Sequence, residues 1–304
     1  MSFSITLFPI IAALAMADTT FLEDPAHKVV WATNNKLQTY FMEHCWQYHA
    51  VLDKFSNKEL KSCASNDVTE VNAFLRANNF TIQLEAEPKE THPFFIASIM
   101  DVMVRWMQTG IKAQIIQTKN GGLCHTETIL YPAITLKKHM KVYTVKKHKH
   151  PVCEIVTQNG DTVCMTIGDQ PGQDFDLLGK VIALDEMVAN FDSRQENYAS
   201  ITFPMISYHE KPDISWLKRM GKKGAFISQA LQETKFQMNQ HGAACQSAAA
   251  IGMLKSIQLA PPKHLIIDRP FYLWIKRPGI GLPIFAAYFD QSHWQEPAAG
   301  LESN

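Results

Sequence analysis

The chain has no net charge, its 29 lysines and arginines being matched by 29 aspartates and glutamates. No global field therefore draws it to nucleic acid or to a membrane. Six cysteines, at positions 45, 63, 124, 153, 164 and 245, contain no C-x-x-C pair and no zinc spacing, so no metal site is expected. Neither G-x-S-x-G nor H-E-x-x-H occurs, and the 12 histidines are scattered. A nucleophile elbow and a zinc protease are thereby excluded. Gly279-Ile280-Gly281 lacks the third glycine and the preceding strand of a nucleotide loop. The chain reads as neither an enzyme nor a cofactor binder.

A divider is also missing. Length alone, at 304 residues, would suit two domains, but no Gly/Ser/Pro-rich linker or repeat interrupts the sequence. Free thiols are the expected cysteine state. Cys153 and Cys164 would lie diagonally across a hairpin turning at Asn159-Gly160, a poor geometry for a disulfide. Ile5 to Ala17 is apolar and ends Ala15-Met16-Ala17, which imitates a signal-peptidase site, yet no lysine or arginine precedes it. The run reads as a core helix and is too short to span a membrane. Whether the chain is secreted or cytoplasmic stays open. The sequon Asn79-Phe80-Thr81 matters only in the first case.

What is present is a mixture of helical and strand periodicities. Leu37–Phe55 has helical spacing, and Asp67 with Glu70 three residues on caps a second amphipathic helix. Phe94 to Met107 reads as a long central strand. Shorter strands are expected around Thr126–Ile134, Lys141–Lys146, Val152–Val156, Thr162–Ile167 and Ala199–Ile206, and helices over Phe175–Phe191 and Ile214–Met220, the latter ended by Gly221. Segregated helices and mainly antiparallel strands make an α+β fold. One basic cluster stands out, Lys137, Lys138, Lys141, Lys146, Lys147 and Lys149, a weak candidate for polyanions against the alternative of a solvated hairpin.

Ala243 to Ile251 is an alanine-rich run between two strand-like stretches, QETKFQMN and HLIIDRPFYLWIKRPGIGLPIFAAYF. Twenty residues, 242 to 261, separate them, long for a connection in a compact domain. By propensity the run is a good helix. In its sequence context it is a spare strand.

That context resembles the serpin family. Asp268, Arg269, Pro270, Phe271, Ile275, Ile284 and Phe285 resemble the buried C-terminal hairpin of serpins, with Ala287 in place of the usual glycine. NQHGAACQSAAA is similar to the hinge that leads into the reactive-centre loop, with Gly242 as hinge glycine. TLFPIIAALAM, residues 6–16, is similar to the family's SPxSIxxALAM helix start. Trp106 falls where FKGxW ends, and Glu154 to Asp169 resembles a strand-turn-strand of the family. The likeness spans nearly the whole chain, which is shorter than a complete serpin by several peripheral helices. Such compact forms are familiar among virus-encoded serpins.

The resemblance implies a serpin-like single domain over residues 1–304, a monomer with mainly antiparallel sheets covered by helices and an exposed loop at about 242–261. It implies a target serine or cysteine protease that cleaves the loop, which then inserts as a strand. The reactive bond is expected at Lys255-Ser256, with Ile257 the alternative. The hinge is Gly242, Ala243, Ala244, Cys245, Ser247, Ala248, Ala249 and Ala250. Successive side chains of a strand alternate faces, so Ala243, Cys245, Ser247, Ala249 and Ile251 would enter the core. The bulky Gln246 then falls on the outward face. Thr6, Pro9, Ser98 and Gln232 stand where the family keeps two Ser, an Asn and a His for sheet opening, near the retained Trp106. These departures, and Ala243 in place of a Thr or Ser, keep a second class in play: a non-inhibitory binding protein on the same fold.

Overall fold

The computed structural model describes residues 3–85, 94–101, 104–121, 125–169, 172, 175–190, 193–241 and 263–297. In chain order the elements are β1 (Phe3–Ile5), α1 (Phe8–Thr20), α2 (Lys36–His44), β2 (Leu60–Ser65), α3 (Val68–Ala77), β3 (Phe95–Met100), β4 (Ile111–Gly121), β5 (His125–Leu136), β6 (Met140–Val145), β7 (Val152–Val156), β8 (Thr162–Ile167) and α4 (Asp176–Ala189). There follow β9 (Ser193–Glu196), β10 (Ser200–Pro204), β11 (Ile206–Glu210), β12 (Gly221–Lys222), β13 (Ala225–Phe226), β14 (Thr234–Met238), β15 (His264–Ile266), β16 (Phe271–Lys276) and β17 (Phe285–Phe289). The architecture is α+β. None of the described helices is long and apolar enough to cross a membrane.

The chain forms two compact units. One comprises Met1–Ser4, Met103–Tyr208 and Lys235–Asn304, the other Ile5–Val102 and His209–Thr234.

In the first unit a seven-stranded sheet runs β1-β17-β16-β8-β7-β6-β9, and a four-stranded sheet runs β15-β10-β5-β4. β16 and β17 pair antiparallel from Phe271↔Phe289 to Ile275↔Phe285. All of β17 is buried, as is β16 up to Ile275. A strand buried on both faces has no need of polar alternation, which explains its continuous apolar sequence. The C-terminal hairpin expected from Asp268 to Ala287 is therefore present. β7 and β8 turn through Gly160 at φ +85°, which favours glycine. Arg277 closes the turn with two nitrogens on the buried Asp161 carboxylate, both at 2.9 Å. In register Cys153 faces Met165 and Cys164 faces Glu154, so the two thiols sit on opposite faces. Cys45, Cys63, Cys153 and Cys164 are free. Burial pushes the Cys45 thiol up to about 12.

In the second unit α1 lies on the antiparallel pair β2–β3. Phe8 and Ile11 are fully buried, and Pro9 occupies the first turn, where its missing N–H costs nothing. The apolar run is thus helical from Phe8 onward and largely buried. Asp67 caps α3 by accepting from Thr69 N at 2.8 Å. Glu70 does not close a capping box but accepts from Ser65 Oγ, which in turn receives Asp67 N. Beyond α1, residues 21–34 carry little regular structure and are held by charge to the end of that helix. Lys222 Nζ, with a fully buried side chain, lies 2.7 Å from Asp18 and 2.8 Å from Asp24. Asp24 also accepts from Lys28 N and Val29 N, and the Lys222 contact with these bonds holds its carboxyl well below the usual range.

Several expected boundaries moved. Leu37–Phe55 is α2 followed by a 3-10 helix, Trp46–Lys54, where the i→i+3 bond from Tyr48 N to Cys45 O tightens the turn. Phe94–Met107 is not one long strand. β3 stops at Met100, before the charged Asp101, and pairs only with β2 among the described residues. Ile214–Met220 is a single 3-10 turn, Ser215–Leu217, because Arg219 takes a left-handed φ of 66° and Gly221 starts β12. β4 had no counterpart in the sequence reading.

Candidate functional site

Residues 242–262, which hold the sequence-assigned hinge and reactive bond, lie outside the described residues. That covers Gly242, Ala243, Ala244, Cys245, Ser247, Ala248, Ala249, Ala250, Lys255, Ser256 and Ile257. Both ends of this segment are described, and both belong to the first unit.

The upstream arm is β14. Its Phe236 stacks on Phe285, with ring centroids 4.6 Å apart, and β11 is its single ladder partner among the described residues. Beyond Met238 the chain turns at Asn239–His241. Trp106, 2% exposed, donates its indole Nε1–H to the Asn239 carbonyl at 3.0 Å. Trp106 is fixed in turn by a bridge to Thr157 and by Gln158 Nε2 donating to its carbonyl at 2.8 Å. Gly110 N donates to the Gln240 carbonyl at 2.7 Å, and a Cβ at Gly110 would lie 2.2 Å from Ile134 Cγ2. Only glycine admits that approach. Asn239 Oδ1 accepts from His241 N and closes the turn.

The downstream arm is β15, which pairs in parallel with β10 from Ser200↔His264 to Thr202↔Ile266. Ala199 N donates to Lys263 O at 2.8 Å, Ser200 Oγ meets His264 Nδ1 at 2.7 Å, and Lys263 Nζ pairs with Glu196 at 2.7 Å. Ser200 Oγ and His264 Nδ1 form a hydroxyl–imidazole pair that ties β10 to β15. The capacity of the arrangement is mechanical: two anchored arms hold the ends of a long connection.

Of the residues assigned to sheet opening, Trp106 is the one on the upstream arm. Thr6, Pro9, Ser98 and Gln232 belong to the second unit. There Gln232 Nε2 donates to the Thr6 carbonyl at 2.8 Å, while Ser98 Oγ bonds Ser62 Oγ at 2.6 Å across β2–β3. Thr6 and Gln232 thus meet, through the backbone of one of them, and Ser98 has a different partner. Gly110, Thr157 and Asn239 were not singled out in the sequence. The one available signal was the polar Asn239-Gln240-His241 triplet directly after an apolar strand.

The basic cluster is divided by β6. Lys137 and Lys138 precede it, while Lys146, Lys147 and Lys149 follow it, and all six lysines are exposed. A six-residue strand at about 3.4 Å per residue sets the two groups roughly 20 Å apart. Lys141 on β6 faces Glu154 of β7 in register. Glu154, Cys164 and Asp185 gather their ligand atoms within 4.8 Å, the one such cluster among the described residues. Lys276 Nζ already fills it, 2.8 Å from Glu154 and 2.6 Å from Asp185. A metal would have to displace that ammonium.

No protein-family model matches the sequence, and no curated protein does. Solved structures do match. Serpin48, a highly specific serpin in the insect Tenebrio molitor, aligns with a TM-score of 0.53 at 15% identity, covering 94% of this chain and 91% of that one. Thyroxine-binding globulin in complex with thyroxine gives 0.57 at 12% identity, covering 97% and 93%. Mouse protein-Z dependent protease inhibitor gives 0.54 at 12% identity, covering 94% and 90%. The fold of this chain is serpin-like.

Proposed function

We propose that the protein is a serpin-type protease inhibitor that acts by loop cleavage, covalent trapping and strand insertion. The observation that carries this reading is the anchored β14 arm, which enters residue 242 from a strand with a single described ladder partner. In this reading residues 1–304 act as one domain, and the target is a serine or cysteine protease.

The target's nucleophilic oxygen or sulfur attacks the Lys255 carbonyl carbon. The Lys255–Ser256 C–N bond breaks, and the departing Ser256 amine takes a proton. Lys255 is left as an acyl ester or thioester on the protease. The freed arm then joins the ladder. About a dozen new hydrogen bonds at about 0.5–1.5 kcal/mol each would supply on the order of 10 kcal/mol to distort the acyl-enzyme. The small residues at Ala243, Cys245, Ser247 and Ala249 suit the inward face of such a strand.

Phase gives the test. Ala249→Arg would bury an unpaired charge on insertion, so the inhibitor becomes a substrate. Ala248→Arg, on the outward face, should keep the SDS-stable complex with protease. Equal complex-to-cleaved ratios for the two variants would refute strand insertion in this register.

A second reading, a binding protein without trapping activity, has its own support. The buried Thr6 Oγ1 has no hydrogen-bond partner among the described residues, where the family resemblance places a serine of its sheet-opening set. One structural neighbour is a thyroxine-binding globulin holding thyroxine. Cleavage near Lys255 that leaves the melting temperature unchanged would favour this alternative.

A further inference from the structure

Three short stretches lie side by side in the second unit: residues 30–32, β12 and β13. Ala32 and Gly221 exchange two backbone hydrogen bonds, at 2.6 and 3.1 Å, and Gly221 pairs with Phe226 on its other flank. Alternation sorts the side chains onto two faces. Trp31 and Lys222 point inward, with Lys222 Nζ 5.7 Å from the Trp31 ring centre and bound to Asp18 and Asp24. Val30, Ala32 and Phe226 take the outer face, where Val30 is 69% and Phe226 59% exposed.

Gly221 sits between Ala32 and Phe226 in this row and carries no side chain. The row therefore has a notch: a Cβ on Gly221 would meet the backbone oxygens of Ala225 and Arg219 at 3.1 and 3.9 Å, and no side chain nearer than Phe226 Cβ at 3.9 Å. The charge around it has one sign. Residues 28–36 and 218–226 contain no aspartate or glutamate, and their exposed charges, Lys28, Lys36, Lys218, Arg219 and Lys223, are all positive. Of the neighbouring acids, Asp18 and Asp24 are taken by Lys222, and Asp213 accepts from Ser215 N. An exposed apolar row rimmed by positive charge suits a partner that is apolar at its centre and negative around it.

We propose that the face formed by Val30, Ala32 and Phe226 docks an acidic segment of a partner protein, with one bulky apolar side chain seated over Gly221 and carboxylates among the surrounding lysines and Arg219. A bilayer would call for apolar side chains that project at the centre of the patch. Here the centre is the notch, which fits a single side chain. The proposal is independent of loop cleavage and insertion.

The test titrates three synthetic peptides into the intact protein while the amide resonances of Ala32, Gly221 and Phe226 are followed. The probes are Asp-Glu-Asp-Leu-Asp-Glu-Asp, the same peptide with Ala in place of Leu, and Lys-Lys-Lys-Leu-Lys-Lys-Lys. The first should shift all three amides saturably. The alanine peptide should bind about 10-fold more weakly, having lost the side chain that fills the notch, and the lysine peptide should leave the three amides unmoved. Phe226→Ser, at an exposed position where folding should be unaffected, should weaken the first peptide by about 10-fold. No shift at these amides, equal affinity for the leucine and alanine peptides, or equal affinity of wild type and Phe226→Ser overturns the proposal. Sedimentation with phosphatidylserine vesicles, lost in Phe226→Ser and unaccompanied by peptide binding, also overturns it and assigns the face to lipid.

Discussion

The β16–β17 hairpin and residues 18–34 are both held firmly, by opposite means. At the centre of the hairpin the packing is apolar: Phe289 lies opposite Phe271 and against Phe236 and Tyr208, with ring centroids between 5.3 and 5.9 Å. In the 18–34 segment one ammonium and two carboxylates do the holding, with Lys223 Nζ adding bonds to Leu22 O and Glu23 O. Burial of apolar area is non-directional and survives modest repacking. Buried charge is directional and fails when one partner goes.

Two substitutions sharpen that contrast. Phe289→Ala removes a ring that is 0% exposed at the centre of the hairpin, and should cost about 3–5 kcal/mol in denaturant unfolding. Phe289→Leu should recover most of it. Lys222→Met removes the ammonium shared by the buried Asp18 and Asp24, leaving Asp18 with His27 Nδ1 at 2.8 Å, and should cost about 3 kcal/mol. The double change Lys222→Met with Asp18→Leu should recover part of that loss, because it removes one of the two buried carboxylates while Asp24 keeps its bonds from Lys28 N and Val29 N. If the double variant is the less stable of the two, charge pairing is not what holds this segment.

The same contrast decides how much was legible in the sequence. Phe271–Ile275 and Phe285–Phe289 announce themselves by composition, and the Thr6–Met16 helix by its apolar run, because burial demands many residues of one kind. Asp18, Asp24 and Lys222 carry no such pattern. Two lie about 200 positions from the third, and a lone aspartate after an apolar helix looks like a surface residue. Glu233 is hidden for the same reason. It stood beside the assigned Gln232, yet its partners Thr81 and Ile82 are set by the chain reversal at Asn79, which no periodicity encodes. The anchors Trp106 and Gly110 fall between: the tryptophan was legible by resemblance, the glycine only once Ile134 was in place.

A smaller effect separates local from global control. Asp67→Ala removes one cap acceptor from α3 and should lower stability by about 1 kcal/mol, with Asp67→Asn nearly neutral. Loss beyond that would mean that the Ser65–Glu70 relay collapses with the cap.

Stability at one end of the seven-stranded sheet should depend on pH. Burial, reinforced by the neighbouring His150, holds the His148 imidazole below its usual 6.5, and burial together with Arg269 holds His150 below it as well. His148 Nε2 lies 2.8 Å from the buried Thr166 Oγ1, and the two rings are 6.2 Å apart, so a proton on either disfavours one on the other. A histidine with a depressed folded pKa binds fewer protons folded than unfolded. Its contribution is therefore complete above about 6.5 and lost as pH falls through the folded value. Unfolding free energy should decline from about pH 7 to pH 5, before the carboxylates Asp24 and Asp290, held low by their hydrogen bonds, begin to titrate. His148→Asn should flatten that decline while leaving stability at pH 8 within about 1 kcal/mol of wild type. An unchanged slope would move the titration away from this sheet end and onto another histidine.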